Sequence, residues 1–429
     1  MDRFFRLHEN GTNTKTEIIA GITTFMTMAY ILVVNPTILS ETGMNFGAVF
    51  TATALTTLIA TVISGLYARL PFAQAPGMGL NAYFAYTIVL GMGYTWQFAL
   101  TAVLLEGILF IILTIFNIRE AIIDSIPSNI KKAISVGIGL LISFIGLVNA
   151  KIIVRPKSGI VSLGDITKGD ALLAIIGIII TGFFLAKNVK GALLIGIVAS
   201  TLIGLPLGIT KLPGAIFSLP PSLEPLFFKF EWQKVFSVDM LIVLFTLLFM
   251  DMFDTVGTLV GVATKAGILD DKGRVPHAKE ALLSDAIGTT VGACLGTSSI
   301  CTYVESAAGV AEGGRTGLTA ISTAFMFGIA LFLSPLFIMI PSAATAPSLV
   351  LVGLFMISPI KEIDFEDFTE AIPAFFTIIM MPLAYSISDG IVFGIVSYVL
   401  LKVLTGKPRE VSIATYVVGL LFILKFLIS

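Results

Sequence analysis

The chain has 429 residues, 56% of them hydrophobic and only 12% charged, with a mean hydropathy of +0.99. Soluble domains carry about 25% charged residues, so this is the composition of an integral membrane protein, and no soluble domain of useful size is left over. A net charge of -1 and a pI near 6.2 lack the basic excess of a nucleic-acid-binding domain.

In chain order, the first dozen residues, MDRFFRLHENGT, are mixed and polar, and the apolar run after them is too long for a signal-peptide core. The N-terminus is therefore expected to stay attached. Apolar windows follow near 17–39, 47–68, 74–90, 96–117, 128–147, 170–187 and 190–207, each close to the roughly 20 residues that cross a bilayer. A proline-rich stretch at 208–238, with aromatic residues among its charges, reads as interfacial. A second set of windows lies near 239–262, 278–293, 296–311, 316–340, 342–358, 371–386 and 388–404. Residues 405–429 form a tail whose apolar part, 411–429, reads either as an extra span or as a helix along the interface. With the N-terminus in the cytoplasm, 18 Lys and Arg fall on the inside and seven on the outside. The positive-inside rule thus favours a multi-pass protein of the cytoplasmic membrane with its N-terminus inside.

The expected fold class is an all-α polytopic membrane protein of 14 segments in two repeats, residues 1–207 and 239–404. Seven is odd, so the second repeat enters the bilayer from the opposite side and the repeat is inverted. The third segment of each set is short and broken: FAQAPGMGLNAYF, 72–84, and GACLGTSSICTYVESAAGVAEGG, 292–314. Interrupted segments at matching places point to a transporter's binding site. Half-helices that begin in mid-membrane leave unpaired backbone N–H groups, costly in hydrocarbon but useful as donors beside a ligand. Pro76 and Gly77 would start such a half-helix, Gly79 would allow close approach, and Asn81 would present its amide in the first turn. Two pairs, Asn81 with Glu305 and Tyr30 with Asp254, share a spacing of 224 residues, as a repeat would require. Gly77, Gly79 and Ala82 also fit G-x-G-x-x-A, but neither a soluble βαβ unit nor the acid about 20 residues on accompanies them.

Ionisable residues inside spans are functional candidates by default. Asp251 and Asp254, three apart, are expected on one helical face with Thr255 and Thr258 beside them, and Glu305 opens the second half-helix. Buried acids without basic partners take up a proton or meet a cation. Asp251, Asp254 and Glu305 are therefore the candidates for proton coupling, with Na⁺ as the alternative ion. Glu106 reads as structural or supporting, and Asp389 as a helix cap. His8 and His277 fall in polar sequence and make poor relays. Cys294 and Cys301 read as small buried thiols rather than a disulfide or metal site. No catalytic motif, metal site or cofactor is expected, so the chain is read as no enzyme.

The stretches TEIIAGITTFMTMAYILVVNP, APGMGLNAYF, DMFDTVGTLVG and GTSSICTYVESAAGVAEGGRTGLTA resemble the AzgA-like purine permeases, a branch of the nucleobase–cation symporters related to the nucleobase–ascorbate transporters. The resemblance runs nearly end to end. It implies a core domain (about 17–117 and 239–340) that rocks against a gate domain (about 128–207 and 342–404). It also implies that Asn81 and the acids Asp251, Asp254 and Glu305 bind the base and couple protons. A carboxylate of Glu305 or Asp254 could accept from the N–H edge of a purine, while Asn81 and backbone N–H groups near Ala82 and Thr302 address its acceptors. Tyr30, Phe84 and Tyr303 are candidates to stack on the ring, with plain packing as the competing role. The expected substrates are hypoxanthine and guanine, then adenine. An uncoupled facilitator is the alternative from another class; an anion exchanger would want a cationic residue that the broken segments lack. No motif marks an interface, so a homodimer stays open.

Overall fold

The computed structural model describes residues 2–116, 127–156, 160–266, 268, 275–412, 415–416 and 419–420. The tail read as an extra span or interfacial helix lies largely outside these.

A short α1 (Asp2–Phe5) precedes α2 (Thr14–Met28) and α3 (Ile31–Ser40), which meet at Ala29 and Tyr30. Next come α4 (Phe46–Ile63), strand β1 (Gln74–Pro76) and α5 (Met78–Ala82), which runs on as a wider π-helical stretch, Tyr83–Gly91. Then follow α6 (Trp96–Ile115), α7 (Ser128–Asn149), a small hairpin of β2 (Ile153–Val154) and β3 (Ser162–Leu163), α8 (Gly169–Ala186) and α9 (Ala192–Gly204). The second half holds α10 (Val238–Ala266), α11 (Ala278–Leu295), β4 (Ile300–Thr302), α12 (Ser306–Ala311), α13 (Gly317–Ala330), α14 (Ser334–Ile338), α15 (Ser342–Ile357), α16 (Phe368–Ala384) and α17 (Ile387–Leu404). Among the described residues, seven helices are long and apolar enough to cross a membrane.

Polar side chains start these helices where the sequence supplies them. Asn13, Asn45 and Thr95 accept the N–H groups of Thr16, Ala48 and Phe98 at the starts of α2, α4 and α6. At α17 the cap is Ser386, which accepts the N–H of Asp389. Asp389 is thus a first-turn acid rather than the cap expected from sequence.

The helices pack in two groups. One gathers α2, α3, α4, α6, α10, α11 and α13 around the broken segments; the other gathers α7, α8, α9, α15, α16 and α17. Close backbone approach at small residues permits this. A Cβ on Gly353 would lie 2.3 Å from the Gly139 carbonyl, and one on Gly317 would lie 1.8 Å from that of Gly65.

The two broken segments meet as strands: β1 and β4 pair antiparallel, with Gln74 opposite Thr302, Ala75 opposite Cys301 and Pro76 opposite Ile300. The ladder is buried on all sides, so its outer polar groups are met by side chains. Thr61 bonds both the N–H and the carbonyl of Gln74, Ser306 Oγ accepts the N–H of Ala73, Thr289 Oγ1 accepts the N–H of Ile300, and the Tyr303 hydroxyl donates to the Pro76 carbonyl at 2.6 Å. Gln74 and Ile300 begin the two strands 226 positions apart, and Met78 and Ser306 begin the half-helices 228 apart. The 224-residue spacing seen in the sequence is therefore not the one that relates these elements.

A second buried network joins α2 to the second half. The Glu17 carboxylate, fully buried, accepts from the N–H groups of Arg315, Thr316 and Thr319 and from the hydroxyls of Thr316 and Thr319, at 2.6 to 3.3 Å. It thereby takes up the free N–H groups at the start of α13. Glu17→Ala is expected to cost about 3 kcal/mol, because several buried donors lose their acceptor together. Glu9→Ala, at an exposed position, should be near neutral. Thermal melting of the purified variants in detergent checks this; equal melting temperatures would show that Glu17 does not hold the halves together.

Candidate functional site

A cavity of about 650 Å³ lies between the two helix groups. Its wall on one side is the start of α5 (Gly79 and Leu80), a stripe of α10 and Val304 just before α12; on the other it is α7, the end of α15 and α17. On α10 the lining residues Met250, Asp254 and Thr258 recur every four positions, one face of a helix. Phe245, Phe249 and Phe355 supply its aromatic surface. At one end lie Lys132 and the exposed Glu362, 3.5 Å apart. Away from that end the groups close on each other: Glu41, just past α3, accepts from Tyr86 at 3.0 Å and from Asn149 at the end of α7 at 2.7 Å. The ring of Tyr86 also meets that of Tyr385 edge to face.

Of the intramembrane acids picked out in the sequence, Asp254 is the one that lines the cavity. The Cys301 thiol hydrogen-bonds to it, and Gly77 is the residue that makes room for both. A Cβ at Gly77 would stand 2.9 Å from the Cys301 sulfur and 3.5 Å from an Asp254 oxygen. Gly79 is the close-approach point expected from sequence, but its neighbours are in the other helix group. A Cβ there would meet Ile138 at 3.3 Å and Met356 at 3.8 Å. The opening N–H groups of α5, those of Met78, Gly79 and Leu80, have no acceptor one turn back within the helix. Those of α12 differ: Ser306, Ala307 and Ala308 donate to the carbonyls of Tyr303, Val304 and Glu305. Among the described residues, the opening N–H groups of the second half-helix are thus already engaged, where the sequence suggested that both half-helices would offer them.

Glu305 stands at the position preceding α12, does not line the cavity, and accepts the Tyr30 hydroxyl at 2.7 Å. Asn81 is fully buried; its Oδ1 accepts from Ser298, while its Nδ2 meets no acceptor among the described residues. Such an unmatched buried donor calls for a partner. Of the three rings offered for stacking, Tyr30, Phe84 and Tyr303, all are buried and none lines the cavity. The two tyrosine hydroxyls are engaged by Glu305 and Pro76. Ala82 and Thr302 likewise lie buried in α5 and β4, away from the cavity lining.

Asp251 and Asp254 do not share a face in use. Three residues along a helix turn by about 300°, leaving the two side chains about 60° apart, and that is enough to separate them. Asp251 is fully buried behind the cavity, where its Oδ1 lies 3.2 Å from the Thr255 hydroxyl. The same hydroxyl lies 2.9 Å from Asp285 of α11, and the carboxyl of Glu106 meets that of Asp251. Asp285 is passed over in the sequence reading, although a carboxylate inside the apolar window 278–293 is the same signal that picks out Glu106 and Asp251.

Residues 15–393 match the model of the Permease family (Xan_ur_permease). Among curated relatives, a putative permease of Methanocaldococcus jannaschii, MJ0326, is 50% identical over 99% of this chain and 98% of its own. The guanine/hypoxanthine permease PbuG of Bacillus subtilis is 44% identical over 100% and 99%, and the adenine permease AdeP of Escherichia coli is 42% identical over 99% and 95%. The fold is similar to that of the transmembrane domain of a cyanobacterial bicarbonate transporter, BicA, with a TM-score of 0.68 at 16% identity over 89% of this chain and 97% of that one. Murine Slc26a9 in its inward-facing state gives 0.63 at 9% identity, over 91% and 68%. With a family match across nearly its whole length and relatives aligned end to end, the chain belongs to the Permease family and is a multi-pass membrane transporter, not an enzyme.

Proposed function

We propose that this chain imports purine nucleobases together with protons, hypoxanthine and guanine foremost, through a fold of two inverted seven-segment repeats whose core domain rocks against its gate domain. The observation that carries the reading is the chemistry of the cavity wall. Away from the end that holds Lys132 and Glu362, one carboxylate, Asp254, stands beside the opening N–H groups of α5 on a largely apolar, phenylalanine-lined surface. A purine has a flat apolar body, ring N–H groups for a carboxylate and ring nitrogens for N–H donors. Phe245, Phe249 and Phe355 are the rings placed to pack on it. Asn81 and Glu305 flank the crossing strands and would join the site when the gate closes over the base. Relatives at 42–44% identity carry the names of adenine and guanine/hypoxanthine permeases, which supports a purine and makes an adenine-preferring site the second reading.

The positive-inside assignment puts Lys131 and Lys132 in the cytoplasm, so the cavity between them and Asp254 opens inward. Closure on the other side then rests on Glu41, Tyr86 and Asn149. Proton coupling follows from acids held inside the membrane, where burial favours the protonated form of a carboxyl group.

Uptake of labelled hypoxanthine into cells lacking purine transport, with guanine, adenine, xanthine and uracil as competitors, tests the substrate. Guanine is expected to compete most strongly, and a protonophore to abolish accumulation. Asp254→Asn should raise KM roughly thirtyfold, the equivalent of about 2 kcal/mol for one charge-assisted hydrogen bond. No purine uptake, or inhibition by uracil alone, would overturn the assignment.

The outer closure is tested by labelling. Ile134, Ile138, Ile142, Ile145 and Asn149 follow one stripe of α7 from the cavity outward, and Ile142 is buried between cavity and latch. A cysteine placed at Ile142 should react with an impermeant maleimide from outside several-fold faster once Asn149→Ala removes the contact to Glu41. Equal rates would show that this contact does not hold the outer side shut.

A further inference from the structure

Glu106 is a buried acid to which the cavity gives no role. It sits within α6, fully buried, and its polar contacts among the described residues are two: it accepts the Ser299 hydroxyl, and its carboxyl meets that of Asp251. Ser299 in turn holds the first broken segment. Its carbonyl accepts the Gly77 N–H at 3.0 Å, at the residue that starts α5, and its neighbour Ser298 donates to the Asn81 side chain. One carboxyl group thus reaches, through a single turn of chain, both the backbone start of α5 and the amide of Asn81.

Glu106 and Asp251 are both fully buried on packed helices, and two neighbouring carboxyl groups in such surroundings are costly to ionise together, so one of them is expected to hold a proton. The other titratable groups on the elements packed against α6 include Asp254 on α10 and, at its first turn, Asp239, which accepts from Tyr94; Asp285, Glu280 and Cys294 on α11; and Tyr83 and Tyr86 on the π-helical stretch after α5. Tyr86 is bonded to Glu41, and Asp285 reaches Asp251 through Thr255. Lys279 of α11 donates to the Ile115 carbonyl at the end of α6, away from the mid-helix position of Glu106.

We propose that Glu106 is a positioning residue through which the coupled proton acts on the substrate site. The pair formed by Glu106 and Asp251 takes a proton from water when the site faces outward and gives it to water when the site faces inward. The charge left on Glu106 sets how tightly Ser299, and with it Gly77 and Asn81, are held. The inference rests on the reading of the protein as a proton-coupled purine importer.

The test compares Glu106→Gln, Glu106→Ala and Ser299→Ala in reconstituted vesicles, by hypoxanthine counterflow, which needs no proton gradient, and by gradient-driven accumulation across external pH. The glutamine amide oxygen still accepts from Ser299, so Glu106→Gln is expected to keep its counterflow KM within about twofold of wild type while accumulation falls to equilibration and its pH profile flattens. Glu106→Ala and Ser299→Ala, which break the link to the turn, should raise the counterflow KM by about tenfold. Accumulation by Glu106→Gln with the wild-type pH profile overturns the proposal, as does a wild-type KM in Ser299→Ala. Counterflow by the wild-type protein decides the purine reading separately. The pH dependence of melting of the purified protein needs no substrate: Glu106→Gln is expected to lose a proton-linked step, and an unchanged dependence overturns the proposal even where transport fails.

Discussion

The β1–β4 ladder is the constraint on which the rest of the structure depends. In hydrocarbon an unpaired peptide group costs several kcal/mol, so a helix broken in mid-membrane is tolerable only if something else accepts its backbone. Here each broken segment is the other's partner: three residues of one pair with three of the other, and Thr61, Thr289, Tyr303 and Ser306 bond the groups around the ladder. The crossing fixes where α5 and α12 begin. It also places Cys301 against Asp254 and the Ser298–Ser299 turn against Asn81 and Gly77.

From that crossing the acids acquire different surroundings. Asp254 looks into the cavity beside free N–H groups, Glu305 is bound to Tyr30, and Asp251 is bound behind the cavity with Glu106, Thr255 and Asp285. In the proposed cycle this division separates the carboxylate that reads the base from those that hold the proton, while the ladder links them mechanically. The helix groups on either side stay apart around the cavity and meet beyond it, among other places, where Glu41 accepts from Asn149 and Tyr86 packs on Tyr385; in the proposed cycle these are the contacts that open.

Much of this was legible in the sequence because a bilayer leaves few choices. Long apolar windows must be helices, and Gly77, Pro76 and the Ser298–Ser299 pair could interrupt them only where backbone is shielded. Mid-span acids stand out for the same reason. What sequence could not show depends on rotation and contact: whether Asp251 turns to the cavity or to α11 is decided by about 60° of helix, and the pairing of Tyr30 with Glu305 joins residues 275 positions apart. The rings proposed to stack are buried away from the cavity, while Phe245, Phe249 and Phe355 read in sequence as ordinary apolar positions. Asp285 was visible by the rule that found Glu106, and its meaning emerges only from its place beside Thr255.

The most direct test of the account is a structure of the protein determined with hypoxanthine or adenine bound. The account predicts a flat density between the start of α5 and α10, with the Asp254 carboxylate on an N–H edge, the N–H groups of Gly79 and Leu80 toward ring acceptors, and a phenylalanine of the cavity wall against the ring face. A base bound out of reach of Asp254 and of the α5 amides would contradict it.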